Sequence, residues 1–126
     1  MKLEINMVVE DALGAAEYYK ELFDAKILSK TNLEKNLNEA SLIIADTEIR
    51  LLNENKDYNL FSPSGDTNSA MWINLIVEDI EGLYEKALEM ECKPIQPITE
   101  FKEINVKNAV FSDKFNHTWV LNKILI

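Results

Sequence analysis

The sequence predicts an α+β fold of two pseudo-symmetric βαβββ modules, whose strands form a curved mixed sheet around a cleft. Three observations predict it. The first is an internal repeat: Asn6-Met7-Val8-Val9-Glu10-Asp11 returns as Asn74-Leu75-Ile76-Val77-Glu78-Asp79. In that register Gly14 falls on Gly82, Glu17 on Glu85, Glu21 on Glu89 and Ile27 on Ile95. The second is a change of period at each Glu-Asp pair, from the alternation of a strand to the spacing of a helix. The third is that each helical stretch is followed by strand-like runs separated by turn residues. A repeat of this length holds a whole supersecondary unit, and two copies can place a shared site at their pseudo-twofold seam.

Each element has its own signal. Leu3, Ile5, Met7 and Val9 alternate with Glu4, Asn6 and Val8, which predicts a strand covered on one side. Asp11 fits a helix N-cap, and Ala12, Ala16, Tyr19, Leu22 and Phe23 recur at helical spacing to about Phe23. A short strand follows over Lys26–Ser29, then a polar irregular stretch over Asn32–Asn38. Ala40–Ala45 and Glu48–Asn53 read as a hairpin turned through Asp46-Thr47. Residues 55–69 form a connecting loop, which bears Tyr58, Phe61 and the Ser-Pro-Ser-Gly stretch. In the second copy Met71–Val77 is a strand, Asp79 caps a helix ending near Met90, and Pro94 and Pro97 flank a short edge-like strand. Glu103–Ser112 and Thr118–Leu125 close the chain as a hairpin. The reading is one domain over 1–126, with copies at 1–54 and 70–126.

Composition narrows the function. At 126 residues, 47% apolar and 28% charged, the chain can hold a core without staples. No apolar run reaches the ~18 residues of a membrane span, and Met1-Lys2-Leu3-Glu4 does not open a signal peptide, so the cytoplasm is the expected location. The net charge of −9 and the lack of a basic stripe argue against nucleic acid. Cys92 is the single cysteine, which rules out an internal disulfide and a zinc cluster. With one His and one Cys, and no Gly-rich phosphate loop, no nucleophilic triad or nucleotide fingerprint is legible.

If one face of each first strand meets its helix, the other face lines the cleft. Those residues are Glu4, Asn6 and Val8 in the first copy and Trp72, Asn74 and Ile76 in the second. A carboxamide offers two donors and an acceptor for orienting a polar ligand. An indole offers a flat stacking surface that also attracts cations. Asn6 and Asn74 can equally hydrogen-bond each other or neighbouring backbone.

These features, with the closing run Phe111-Ser112-Asp113-Lys114-Phe115-Asn116-His117-Thr118-Trp119, resemble the vicinal oxygen chelate superfamily of glyoxalases, extradiol dioxygenases, and fosfomycin- and bleomycin-resistance proteins. The run is most similar to the PhnB-like branch, F-x-D-P-F-G-H-x-W. Here Lys114 stands for the Pro and Asn116 for the Gly, and Asn tolerates the left-handed conformation such a Gly would serve. His117 and Asp113 are read as turn-forming residues.

The resemblance implies metal ligands on the first and last strands of each half. Those positions map to Glu4 and Trp72, and, from matching Leu51-Leu52-Asn53 to Val120-Leu121-Asn122, to Leu51 and Val120. Only Glu4 can ligate, as an otherwise unpaired carboxylate, and shifting the hairpins by one residue supplies Arg50, Leu52, Trp119 or Leu121, none of which helps; neither a metal nor another cofactor is expected. The resemblance then implies a small-molecule-binding protein that sequesters a cationic or aromatic compound at Glu4, Asn6, Trp72, Asn74, Leu51, Val120 and Phe61. The alternative is a lyase, isomerase or dioxygenase-like enzyme with Glu4 as general base or sole metal ligand. A third reading is a structural or regulatory module whose cleft is closed by Trp72 and Phe61. A homodimer is expected, with Tyr18 and Tyr19 exposed on the first helix, and with edge strands near Lys26 and Ile95, as contacts.

Overall fold

The structure, a computed structural model, describes residues 1–65 and 70–126. They form two compact units, Met1–Pro63 and Ser64–Ile126, divided within the expected connector. Residues 66–69 of that connector lie outside the described residues. The first unit runs β1 (Ile5–Val9), α1 (Ala12–Phe23), β2 (Lys26–Lys30), β3 (Glu39–Ile44) and β4 (Thr47–Asn53). The second runs β5 (Trp72–Ile76), α2 (Ile80–Glu89), β6 (Lys93–Phe101), β7 (Val106–Ser112) and β8 (Thr118–Ile124). Each unit is therefore β-α-β-β-β, as the repeat predicts.

The two sheets share one topology, in the orders β1-β4-β3-β2 and β5-β8-β7-β6. Within each, the first strand pairs parallel with the last, and the remaining pairs are antiparallel. A parallel neighbour requires a crossover, and the helix with its following hairpin supplies it. Among the described residues no helix is long and apolar enough to cross a membrane.

The repeated Asp and Gly have one shared purpose. Asp11 accepts a hydrogen bond from the Gly14 amide at 3.1 Å, and Asp79 accepts one from the Gly82 amide at 3.0 Å. Each carboxylate thus satisfies one of the open donors at a helix start. A Cβ on either glycine would run into its cap carboxylate, so the glycines serve close approach.

Each helix buries one face against its sheet. In the first unit Ala12, Ala15, Ala16, Tyr19 and Leu22 meet a core that includes Met7, Val9, Leu42, Ile49 and Leu51. Full burial of each Leu, Ile, Val or Met among them stabilises by roughly 1.5–3 kcal/mol. Tyr19 therefore cannot be a dimer contact: it is fully buried, stacked on Phe23 at 5.9 Å, while Tyr18 is half-buried beside it. At the exposed edge of α1, Lys30 donates to Glu17 at 2.8 Å and holds that carboxyl below the usual glutamate range. A lowered folded value means the pair supports the fold above the ordinary glutamate pKa, and that support is lost as pH falls through the lowered value.

Three local expectations shift. The first hairpin turns through Ala45-Asp46, with Ala45 at φ 55°, because Thr47 pairs across from Ile44. The strand holding Pro94 and Pro97 is nine residues long and contains both prolines, with register breaks at Pro94/Gln96 and Gln96/Thr99. As an edge strand, β6 can face missing N–H groups outward and absorb them at bulges. The last hairpin starts at Val106, since Lys102–Ile104 form a 3-10 turn that Asn105 ends at φ 54°.

The second hairpin is organised by one carboxylate. Asp113, only 2% exposed, accepts from the amides of Phe115 (2.7 Å) and His117 (3.1 Å) through Oδ1. Its Oδ2 accepts from the indole of fully buried Trp119 at 2.7 Å. Asn116 sits at φ 68°, the left-handed turn position predicted for it, and the His117 backbone closes the loop with Asp113. Asp113 and His117 are thus turn residues, as the sequence reads. Asp113→Asn points an amide N–H₂ at one of these donors and leaves it unsatisfied in the core. The expected loss is about 1–3 kcal/mol in chemical denaturation, with the native fold retained. An unchanged midpoint would contradict this role.

Candidate functional site

Side chains opposite one another on neighbouring strands share a face of the sheet. In the first unit Met7 pairs with Leu51 and Asn6 with Arg50, while Arg50 in turn pairs with Ser41 on β3. Met7 and Leu51 are buried with the helix. Asn6, Arg50 and Ser41 therefore form a row across three strands on the other face.

This register overturns one candidate. Leu51 is 0% exposed and belongs to the core, so it cannot line a ligand site. In the second unit Asn74 pairs with Val120, as Asn6 does with Arg50, which makes Arg50 the counterpart of Val120. The sequence match fails by one residue because the hairpin loops differ in length: β3 turns directly into β4, whereas β7 and β8 are separated by the Asp113–His117 loop. The matched asparagines point opposite ways. Asn53 faces the core, where its Oδ1 accepts from the Ala12 amide at 2.8 Å, while Asn122 shares the outer face with Asn74.

Glu4 just precedes β1, and its carboxylate is not unpaired. Arg50 approaches it at 3.4 Å and Lys2 at 3.8 Å, and its side chain is 52% exposed. That is the setting of a surface ion pair. Beside it lies a small pocket of about 50 Å³ whose lining includes Lys2, Glu4, Asn6, Ser41, Glu48 and Arg50. A more open hollow of about 440 Å³ lies among Glu10, Glu34, Lys35, Asn36, Asn53 and Glu54. Its polar groups are partly engaged, since Glu54 accepts from the amide and hydroxyl of Ser62. Among the described residues, no three His, Cys, Asp or Glu side chains gather to hold a metal ion.

The outer face of the second unit is different in character. Trp72, Asn74 and Ile76 on β5 pair with Thr118, Val120 and Asn122 on β8, which continue to Ser112, Val110 and Asn108 on β7. Trp72 is 59% exposed and Ile76 68%. Asn122 donates to Asn74 at 2.6 Å, so the partner of Asn74 is a carboxamide one strand away. Gln96 donates to Asn108 farther along the same sheet. Among these described residues the face holds an indole, aliphatic side chains and carboxamides, with no carboxylate.

Trp72, Asn74 and Val120 thus stand together on one face, and Glu4 and Asn6 on another. Phe61 is exposed beyond the last strand of the first unit and is not part of the Glu4 pocket. Cys92 is buried behind α2, with its amide bonded to the Ala87 carbonyl. Sequence reasoning reaches Arg50 only as a one-residue shift from Leu51 and sets it aside; the strand pairing is the missing signal.

In sequence, no family model and no curated protein matches the chain. In structure, it is similar to TioX from Micromonospora sp. ML1, with a TM-score of 0.74 and 13% identity over 99% of each chain. It is also similar to the fosfomycin resistance protein FosX of Listeria monocytogenes complexed with Mn(II) and sulfate, with a TM-score of 0.70 and 18% identity over 100% of this chain and 91% of that one. A PhnB protein from Bacillus cereus aligns with a TM-score of 0.73 and 17% identity over 98% of this chain and 99% of that one. At such identities the likeness carries the fold, and the chemistry rests on this chain's own residues.

The face assignment makes a direct stability test. Leu51→Ala should cost about 2–5 kcal/mol, as a buried large-to-small change. Arg50→Ala, one residue away, should cost under about 1 kcal/mol, as loss of an exposed ion pair. Equal costs in urea denaturation would contradict the register.

Proposed function

The chain has the fold of the vicinal oxygen chelate superfamily, and on that premise we propose that it binds a small molecule without a resident metal ion. The observation that carries this reading is the identity of four side chains. The resemblance assigns metal ligands to Glu4 and Trp72 on the first strands and, for the last strands, to Val120 and, when the register of β1 on β4 is followed, to Arg50 in place of Leu51. Catalytic metals usually keep about three protein ligands, drawn from carboxylate, imidazole or thiolate. Here the set supplies one carboxylate, already facing a guanidinium that repels a metal cation. The donors do not fit a metal.

The second unit offers the better ligand surface. Exposed Trp72 supplies a stacking plane, Val120 and Ile76 supply apolar contact, and Asn74 and Asn122 supply polar edges. Without a carboxylate there to draw a cation, the residues favour an aromatic ligand with hydrogen-bonding groups. The protein acts in the cytoplasm as a homodimer in this reading. Catalysis through Glu4 draws no support from its surroundings. Its carboxylate is half exposed and already paired with two cations.

Benzamide, a flat ring with a carboxamide, is a suitable probe. Its titration should shift the Trp72 indole N–H and the Asn74 and Val120 amides saturably in NMR spectra. Trp72→Ala should weaken binding about tenfold or more, from lost stacking and contact area. No shift up to the solubility limit of benzamide, or unchanged affinity in the variant, would contradict the reading.

A further inference from the structure

Arg50 is the only arginine in a chain whose other basic side chains are all lysines, and it stands on the outer face of β4, a strand paired on both sides. A guanidinium presents five donors in a rigid fork matched to oxyanions, which a lysine ammonium does not. Among the described residues, Glu4 is the single partner of this fork, and the contact is long at 3.4 Å. Charge-assisted pairs held firmly close to about 2.7–2.9 Å. Most of the donor capacity of Arg50 is therefore unspent.

Its neighbours add to that capacity. Asn6 and Ser41 flank Arg50 in register on either side, about 4.8 Å away per strand. Neither the Asn6 carboxamide nor the Ser41 hydroxyl has a protein partner among the described residues. All three line the pocket of about 50 Å³, which suits a headgroup of a few atoms and excludes a whole drug-sized ligand. The anion now beside Arg50 is a carboxylate of the chain itself, carried by an exposed residue outside the strand.

We propose that Arg50, with Asn6 and Ser41, forms a binding site for the carboxylate group of a small molecule, and that Glu4 occupies it until that carboxylate displaces it. The guanidinium receives the incoming carboxylate bidentately, while Asn6 or Ser41 donates to a remaining lone pair. Glu4 then swings to Lys2, already 3.8 Å away. This rests on the small-molecule reading and deepens it by naming the chemical group that the first unit binds, and it is tested independently of Trp72.

A single arginine gives a single Nε–H resonance, so the site carries its own reporter. Titration with sodium benzoate should move that resonance saturably, beyond the change seen with sodium chloride at equal ionic strength. Glu4→Gln removes the competing charge and should tighten benzoate severalfold, and Arg50→Gln should abolish the saturable shifts of the Asn6 and Ser41 amides. A wild-type response equal to chloride overturns the site. Saturable shifts that survive in Arg50→Gln overturn the assignment to Arg50, and unchanged or weaker affinity in Glu4→Gln overturns the displacement. The benzamide response at Trp72 is independent of all three outcomes.

Discussion

The parallel pairing of first and last strand in each module decides what this protein can do. β1 on β4 and β5 on β8 fix which alternate residues meet the helix and which meet solvent. Because the side-chain period of a strand is two, a slip of one residue would exchange the faces entirely. Burial makes the choice: Leu51, Trp119 and Leu121 are fully enclosed on the helix side. Arg50, Val120 and Asn122 then have to face away. The cap on each helix and the Asp113 carboxylate in the last hairpin hold the ends of this arrangement in place.

Much of the fold was legible because local chemistry and long-range pattern agree. The repeated Asp-x-x-Gly marks a carboxylate cap and the room it needs, so both helix starts could be read directly. Asn116 could be placed in a left-handed turn because it stands where the resembling run has a Gly and Asn tolerates that conformation. Tyr19 reads two ways, as part of the apolar helical spacing and as an exposed dimer contact, and its full burial decides for the core. The prolines of β6 read as bounding a short edge strand; they lie inside a longer one because bulges absorb their missing N–H groups, which residue type alone does not show.

The site was less legible, for one physical reason. Identical residues align the two first strands, but the last strands match only weakly, and the preceding loops differ in length. An alignment built on Leu51-Leu52-Asn53 therefore lands one residue out, and in a strand that is the wrong face. Arg50, reached only by shifting one residue from Leu51, is set aside there because it cannot ligate a metal. Glu4 was found, yet its ion pair with Arg50 depends on that pairing and could not be.

The two modules keep one topology and carry different chemistry on their outer faces. One presents an ion pair, a carboxamide and a hydroxyl; the other presents an indole, aliphatic groups and carboxamides. The proposed reading is that these faces bind a small molecule with no resident metal ion, the first of them presenting Arg50 beside Glu4. Native mass spectrometry of the purified protein, paired with elemental analysis, tests that claim most directly. The account predicts a dimer mass without stoichiometric metal. A bound Mn, Ni, Zn or Fe ion at one per chain would contradict it and return metal-assisted chemistry to this site.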